Sequence, residues 1–113
     1  MLDLNPETVR LIIDKAQSFQ MLGHGDSGDR PDGWDPSYAE LKATIDDLEP
    51  DQQISLVGLM WLGRGDYGPA EWERALADAR ERWNARTAEY LIGTPLLADY
   101  LADGLAQLAY VPE

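Results

Sequence analysis

The sequence predicts an all-α fold, a single compact bundle of about five helices around a central apolar helix at about residues 50–62. Three observations carry this. Proline follows a turn or capping residue at Asn5-Pro6, Asp35-Pro36, Glu49-Pro50, Gly68-Pro69 and Thr94-Pro95, each just before an apolar pattern. Proline suits the first helical position, where its missing N–H would be unpaired anyway. The apolar residues then recur at steps of three and four, and no segment sustains the alternation of a strand.

Each helix is justified in turn. The first, about residues 6–22, has Asn5 as N-cap, Gly23 as stop and a face of Val9, Ile12, Ile13, Ala16 and Phe19. The second, about 36–48, has Asp35 as N-cap and the stripe Tyr38, Leu41, Ile45 and Leu48. The third is apolar all round from Ile54 to Leu62 apart from Ser55, which marks it as the buried centre, and Gly63 fits its C-terminal stop. The fourth, about 69–92, has the stripe Trp72, Leu76, Ala79, Trp83, Thr87 and Tyr90. The fifth, about 95–110, starts from Thr94 and carries Leu97, Tyr100, Leu101, Gly104, Leu105 and Leu108. Helices four and five are expected to pack on helix three. Short links between helices two and three, and four and five, favour antiparallel neighbours. Residues 23–35, rich in Gly and Asp, read as an exposed acidic loop, and residues 1–113 read as one domain.

Composition narrows function by exclusion. The 113 residues carry 9 basic and 21 acidic side chains, a net charge of −12, which argues against nucleic acid and anionic membranes as partners. Cysteine is absent, which removes disulfides, thiolate metal sites and a Cys nucleophile. The opening Met1-Leu-Asp-Leu-Asn-Pro6 lacks a basic-then-apolar leader, and no apolar run nears the roughly 20 residues that span a bilayer. A cytoplasmic location is expected. The charge is uneven. Residues 26–51 hold nine acids against Arg30 and Lys42, and residues 87–113 hold four acids and no base. Residues 74–86 hold Arg74, Arg80, Arg82 and Arg86 against Asp78 and Glu81. Helix four is thus a basic strip in an acidic chain, with Arg74 and Arg82 each four residues from Asp78 and placed to pair with it.

Three places could carry chemistry. The loop holding His24, Asp26, Asp29, Asp32 and Asp35 offers oxygen ligands to a hard cation. With Glu40 as the twelfth, bidentate ligand of a calcium loop, Asp29 falls first, but the third, fifth and sixth positions are Pro31, Gly33 and Trp34. Asp29 and Glu40 are therefore the metal candidates, against a solvated linker of turn-forming aspartates. The link Gly63-Arg-Gly-Asp66 permits close approach of a chain or ligand, or ties Arg64 or Asp66 to helix ends. Extending the stripe of helix four past Trp83 brings Arg86 and Thr87 inward. Arg86 with Tyr90 and Trp72 then forms either a structural pair with Asp66, Asp99 or Asp103, or a cleft for a small anion or a partner's carboxylate. The binding candidates are Arg64, Asp66, Trp72, Arg86 and Tyr90. No catalytic residue and no cofactor are assigned, because one His and four Ser without a nucleophile setting assemble no recognisable constellation.

The strings Val57-Gly-Leu-Met-Trp-Leu-Gly-Arg-Gly-Asp66, Glu71-Trp72 and Arg86-Thr-Ala-Glu-Tyr-Leu-Ile-Gly-Thr-Pro-Leu-Leu-Ala-Asp-Tyr-Leu101 resemble the bacterial domain-of-unknown-function family numbered 3775. Leu4-Asn-Pro6 and the Tyr38-Glu40-Leu41 helix are similar too, and the likeness is least over residues 22–35. It implies a small bacterial helical protein, and it supplies no site residues. The functional expectation is a non-catalytic protein-interaction or homo-oligomerising module, with Trp34 as an exposed contact residue. The alternative is a small-anion or divalent-metal binder using the acidic loop or the Arg64/Asp66/Arg86 region.

Overall fold

The computed structural model describes residues 4–21 and 36–109. Among them are six α-helices and no strand: α1 (Pro6–Met21), α2 (Pro36–Asp46), α3 (Pro50–Arg64), α4 (Trp72–Arg82), α5 (Thr87–Ile92) and α6 (Leu97–Ala109). A single 3₁₀ turn, Pro69–Glu71, precedes α4. The fold is all-α, as the periodicity predicts. Asp35, Gly23, Trp34 and the acidic loop at 23–35 lie outside the described residues.

The starts of α1 and α3 follow their sequence signals. The Asn5 side chain accepts from the Glu7 amide at 2.8 Å. The Gln52 side chain accepts from the Glu49 amide at 3.0 Å, closing the first turn of α3 behind Pro50. The predicted faces turn inward: Val9, Ile12, Ile13, Ala16 and Phe19 on α1 and Leu41 and Ile45 on α2 are buried, while Tyr38 and Leu48 are half-buried against the core. Helix α3 is central. Every residue from Gln53 to Leu62 is buried.

Helices α4 and α6 pack on α3, as expected. The two short links do not make neighbours, however. Helix α2 packs chiefly on α1 and α5, and α6 packs on α3 and α1. The reason lies in the faces. A helix that is apolar all round covers itself with whichever elements bring the largest apolar stripe, whatever the connecting length.

Glycine sets the closeness of α3 and α6. A Cβ on Gly63 would stand 1.9 Å from the Tyr100 carbonyl oxygen, and one on Gly104 would stand 2.2 Å from that of Leu59. Gly63 is therefore an approach point and does not stop the helix as predicted. The chain stays helical through Arg64, and Gly65 ends it with a left-handed φ of 93°. The Asp66 amide then returns to the Trp61 carbonyl at 3.0 Å.

The predicted fourth helix is two helices. Residues 83–86 interrupt it, with Trp83 extended at φ −64°, ψ 138°. Asn84 causes the break by offering the backbone local partners. Its side chain accepts from the Arg86 amide at 2.7 Å, while its own amide and carbonyl bond the Thr87 hydroxyl at 3.1 and 2.8 Å. Thr94 likewise does not cap the last helix. Its hydroxyl donates back to the Tyr90 carbonyl at 3.0 Å, finishing α5. Leu96 takes a left-handed φ of 62°, so α6 starts only at Leu97.

Candidate functional site

The end of α3, the 65–71 link and α4 enclose an aromatic and cationic cleft. The reversal at Gly65 brings Tyr67 back onto the preceding turn, where its ring stacks on Trp61 with centroids 5.7 Å apart. Trp61 is buried, yet its indole N–H points outward and donates to the Tyr90 hydroxyl of α5 at 2.9 Å. Arg82, on the last turn of α4, lies over the same indole with its guanidinium carbon 5.7 Å from the ring centroid. Arg74, two turns earlier on α4, lines the same cleft.

Arg64 and Asp66 bond each other. The Arg64 guanidinium reaches one Asp66 oxygen through Nη2 at 2.7 Å and Nε at 2.8 Å. That hydrogen bond, and the Asp66 charge, hold the guanidinium above its ordinary range against partial desolvation, with a smaller contribution from Tyr90. Arg74 and Arg82 form no ion pair among the described residues. Their expected partner, Asp78, is engaged elsewhere and accepts from the Tyr67 hydroxyl. Arg80 is the helix-four base that does pair, reaching Asp51 at 3.7 Å.

The cleft is a depression of about 390 Å³, with Glu71 on its wall beside the three arginines. A second depression of about 270 Å³ adjoins it and shares Trp61, Arg82 and Tyr90. Val57, Ala79 and Trp83 make the second one more apolar, and Arg86 lies along its edge. Trp83 is anchored there by its indole N–H, which donates to the Gln53 side chain at 2.7 Å.

The structure thus brings Arg64, Asp66 and Tyr90 together and places Arg86 in the adjoining depression. Trp72 is elsewhere. It is 2% exposed, in the core against Gly58 and Leu76. Arg86 is exposed and pairs with none of Asp66, Asp99 and Asp103, because the break at 83–86 ends the inward stripe. Sequence reasoning missed Trp61, Tyr67, Arg74, Arg82 and Trp83 as members of the cleft. The basic strip was the available signal for the two arginines.

Of the metal candidates, Asp29 lies outside the described residues. Glu40 pairs with Lys15 at 2.7 Å, tying α2 to α1. Among the described residues no group of three or more His, Asp or Glu side chains converges. No helix among them is long and apolar enough to cross a membrane.

Residues 38–110 match the family DUF3775, whose description is "Protein of unknown function (DUF3775)". The chain belongs to the DUF3775 family. The matched stretch of this DUF3775 protein contains α3 to α5 and with them every residue of both depressions. No curated protein and no solved structure matches the chain.

The Tyr67–Asp78 bond gives the cleft wall a pH signature. The hydrogen bond to the carboxylate, then desolvation and the Asp78 charge, raise the phenol above its ordinary value of 10.0, while Arg74 and Arg82 act against this. A raised pKa favours the neutral phenol in the folded state. Its contribution is therefore full below the unfolded value and is lost as pH climbs through the folded one. Tyr67→Phe is expected to be less stable than wild type at neutral pH, with the gap closing above about pH 10. Urea midpoints of the two proteins across pH 7–11 check it. A gap that stays constant to the alkaline end means the bond is not formed.

Proposed function

We propose that this DUF3775 protein is a non-catalytic interaction module that takes a carboxylate from a partner into the arginine-lined cleft. The observation that carries the reading is Arg74 and Arg82, both without a carboxylate partner among the described residues, beside an aromatic floor in a chain of net charge −12. A cationic cleft in an acidic protein steers acidic groups to one place and repels them from the remaining surface. Guanidinium groups recognise carboxylates through paired, charge-assisted hydrogen bonds, and stacking on an indole holds the planar group ready.

The anion is best read as singly charged. Arg64 is already matched by Asp66, Glu71 stands beside the two remaining arginines, and Asp78 sits behind them on the Tyr67 hydroxyl, so the formal charges around the depression cancel. A carboxylate adds one negative charge to that balance and a dianionic group adds two. Self-association is the same contact with the carboxylate supplied by a second copy, and the solution mass separates the two.

The test is a calorimetric titration with a capped tetraglutamate peptide at low salt. Wild-type protein is expected to bind it, to lose affinity as salt rises, and to gain thermal stability at ligand excess. The double variant Arg74→Gln/Arg82→Gln should keep its fold and lose at least tenfold in affinity. Equal affinity in the variant, or no stabilisation of wild type at saturating peptide, overturns the reading.

A further inference from the structure

The inference rests on the carboxylate reading above and concerns what lies next to that carboxylate. We propose that the ligand is an extended peptide segment of a partner protein in which an acidic residue stands two positions from an aromatic or large aliphatic one.

The second depression supplies the neighbouring contact. It shares the Trp61, Arg82 and Tyr90 walls with the polar one, so a group seated in one is in contact range of a group seated in the other. The two differ in character: the first is lined by arginines, the second by Val57, Ala79 and Trp83. Four large apolar side chains are exposed among the described residues, and two of them, Trp83 at 39% and Tyr90 at 45%, line this depression. Burying an aromatic side chain against such a surface is what a partner residue would add to the salt-sensitive contact.

A peptide fits better than a free small molecule. Small-molecule sites are concave and mostly apolar, with a few polar groups fixing the ligand. Here two adjoining depressions of opposite character lie side by side, and alternate side chains of one extended segment can occupy both. Arg82 lines both depressions, with its guanidinium carbon 5.7 Å from the centroid of the Trp61 ring that they also share. Arg86 along the apolar edge favours a further acid after the apolar residue.

Four capped hexapeptides test this by titration calorimetry. The parent has one glutamate two positions from one phenylalanine in a serine background. The others replace the phenylalanine by serine, the glutamate by glutamine, or the glutamate by phosphoserine. The parent is expected to bind at least tenfold tighter than the serine and glutamine versions, and at least as tightly as the phosphoserine version. In wild-type protein the parent should shift the Trp83 indole N–H signal, and the serine version should leave it in place. That readout needs no variant. Trp83→Ala, checked for fold by circular dichroism, should erase the advantage of phenylalanine and keep that of glutamate.

Equal binding of the phenylalanine and serine peptides overturns this inference and leaves the carboxylate reading standing. Tighter binding of the phosphoserine peptide overturns the carboxylate assignment. Free phenylacetate binding as well as the parent overturns the peptide assignment. Failure of all four peptides together with the tetraglutamate overturns both readings.

Discussion

Gly104→Ala is expected to destabilise the protein by about 3 kcal/mol, near the upper end of overpacking costs. A methyl group there would stand 2.2 Å from the Leu59 carbonyl oxygen and 2.9 Å from its carbon. Those atoms belong to the backbone of a central helix whose own face is packed on all sides, so they have no room to withdraw. Alanine is the better helix former by about 1 kcal/mol, and for an exposed position that would decide the sign. Here the clash outweighs it. The melting midpoint should fall on the order of 10 °C. Gly63→Ala acts at the other end of the same contact, against Tyr100, and the two should be non-additive because the first already separates the helices. A Gly104→Ala protein as stable as wild type would show that α6 does not lie this close to α3.

Gln53→Met is the second large effect, expected at about 2 kcal/mol from the loss of two hydrogen bonds at a buried site. Gln53 is buried on α3, and its amide works in two directions. It donates to the Ile45 carbonyl at the end of α2 at 2.8 Å and accepts from the Trp83 indole at 2.7 Å. Methionine keeps the volume and removes both bonds. Ile45 is fully buried, and its carbonyl loses one of two bonds because it still accepts from the Leu48 amide at 3.0 Å, while the half-exposed Trp83 can turn its N–H to water. Chemical denaturation gives the loss. A blue-to-red shift in the Trp83 contribution to fluorescence, removed in Trp83→Phe, separates release of the indole from general loosening. A Gln53→Met variant within 0.5 kcal/mol of wild type, the usual range for surface changes, would mean the bridge contributes nothing.

The helices were largely legible because an amphipathic or wholly apolar period reports directly on burial. The stripes of α1 and α2 and the unbroken apolar run of α3 are of this kind. The break at 83–86 was not, because Trp83, Thr87 and Tyr90 keep the three-and-four spacing straight across it. Only the local bonds of Asn84 end the helix, and their competition with helical bonds is invisible to periodicity. Thr94-Pro95 misled for a related reason. A threonine before proline can cap the helix ahead or bond back to the helix behind, and here it bonds back.

The site was legible in part. Arg64 and Asp66 sit in one short link, so their meeting is a local event. Arg74 and Arg82 are visible as a basic strip, and their four-residue spacing points to Asp78 as a partner. What the sequence does not carry is that Gly65 turns Tyr67 back to take that carboxylate first. Trp61 was hidden for the opposite reason. It lies in a run of core residues and is indeed buried, and nothing in that run shows that its ring also meets Tyr67, Arg82 and Tyr90.

That double membership of Trp61 constrains how the protein can change. The floor of both depressions is also a wall of the interior, so the proposed recognition surface has no expendable floor. Removing the indole costs core packing, so a loss of binding there would not report on the surface alone. Natural variation and laboratory variants alike must therefore retune this surface through the arginines at its rim, in charge and not in bulk. Loss of binding with the fold intact should be found at Arg74 and Arg82, and it should not be found at Trp61.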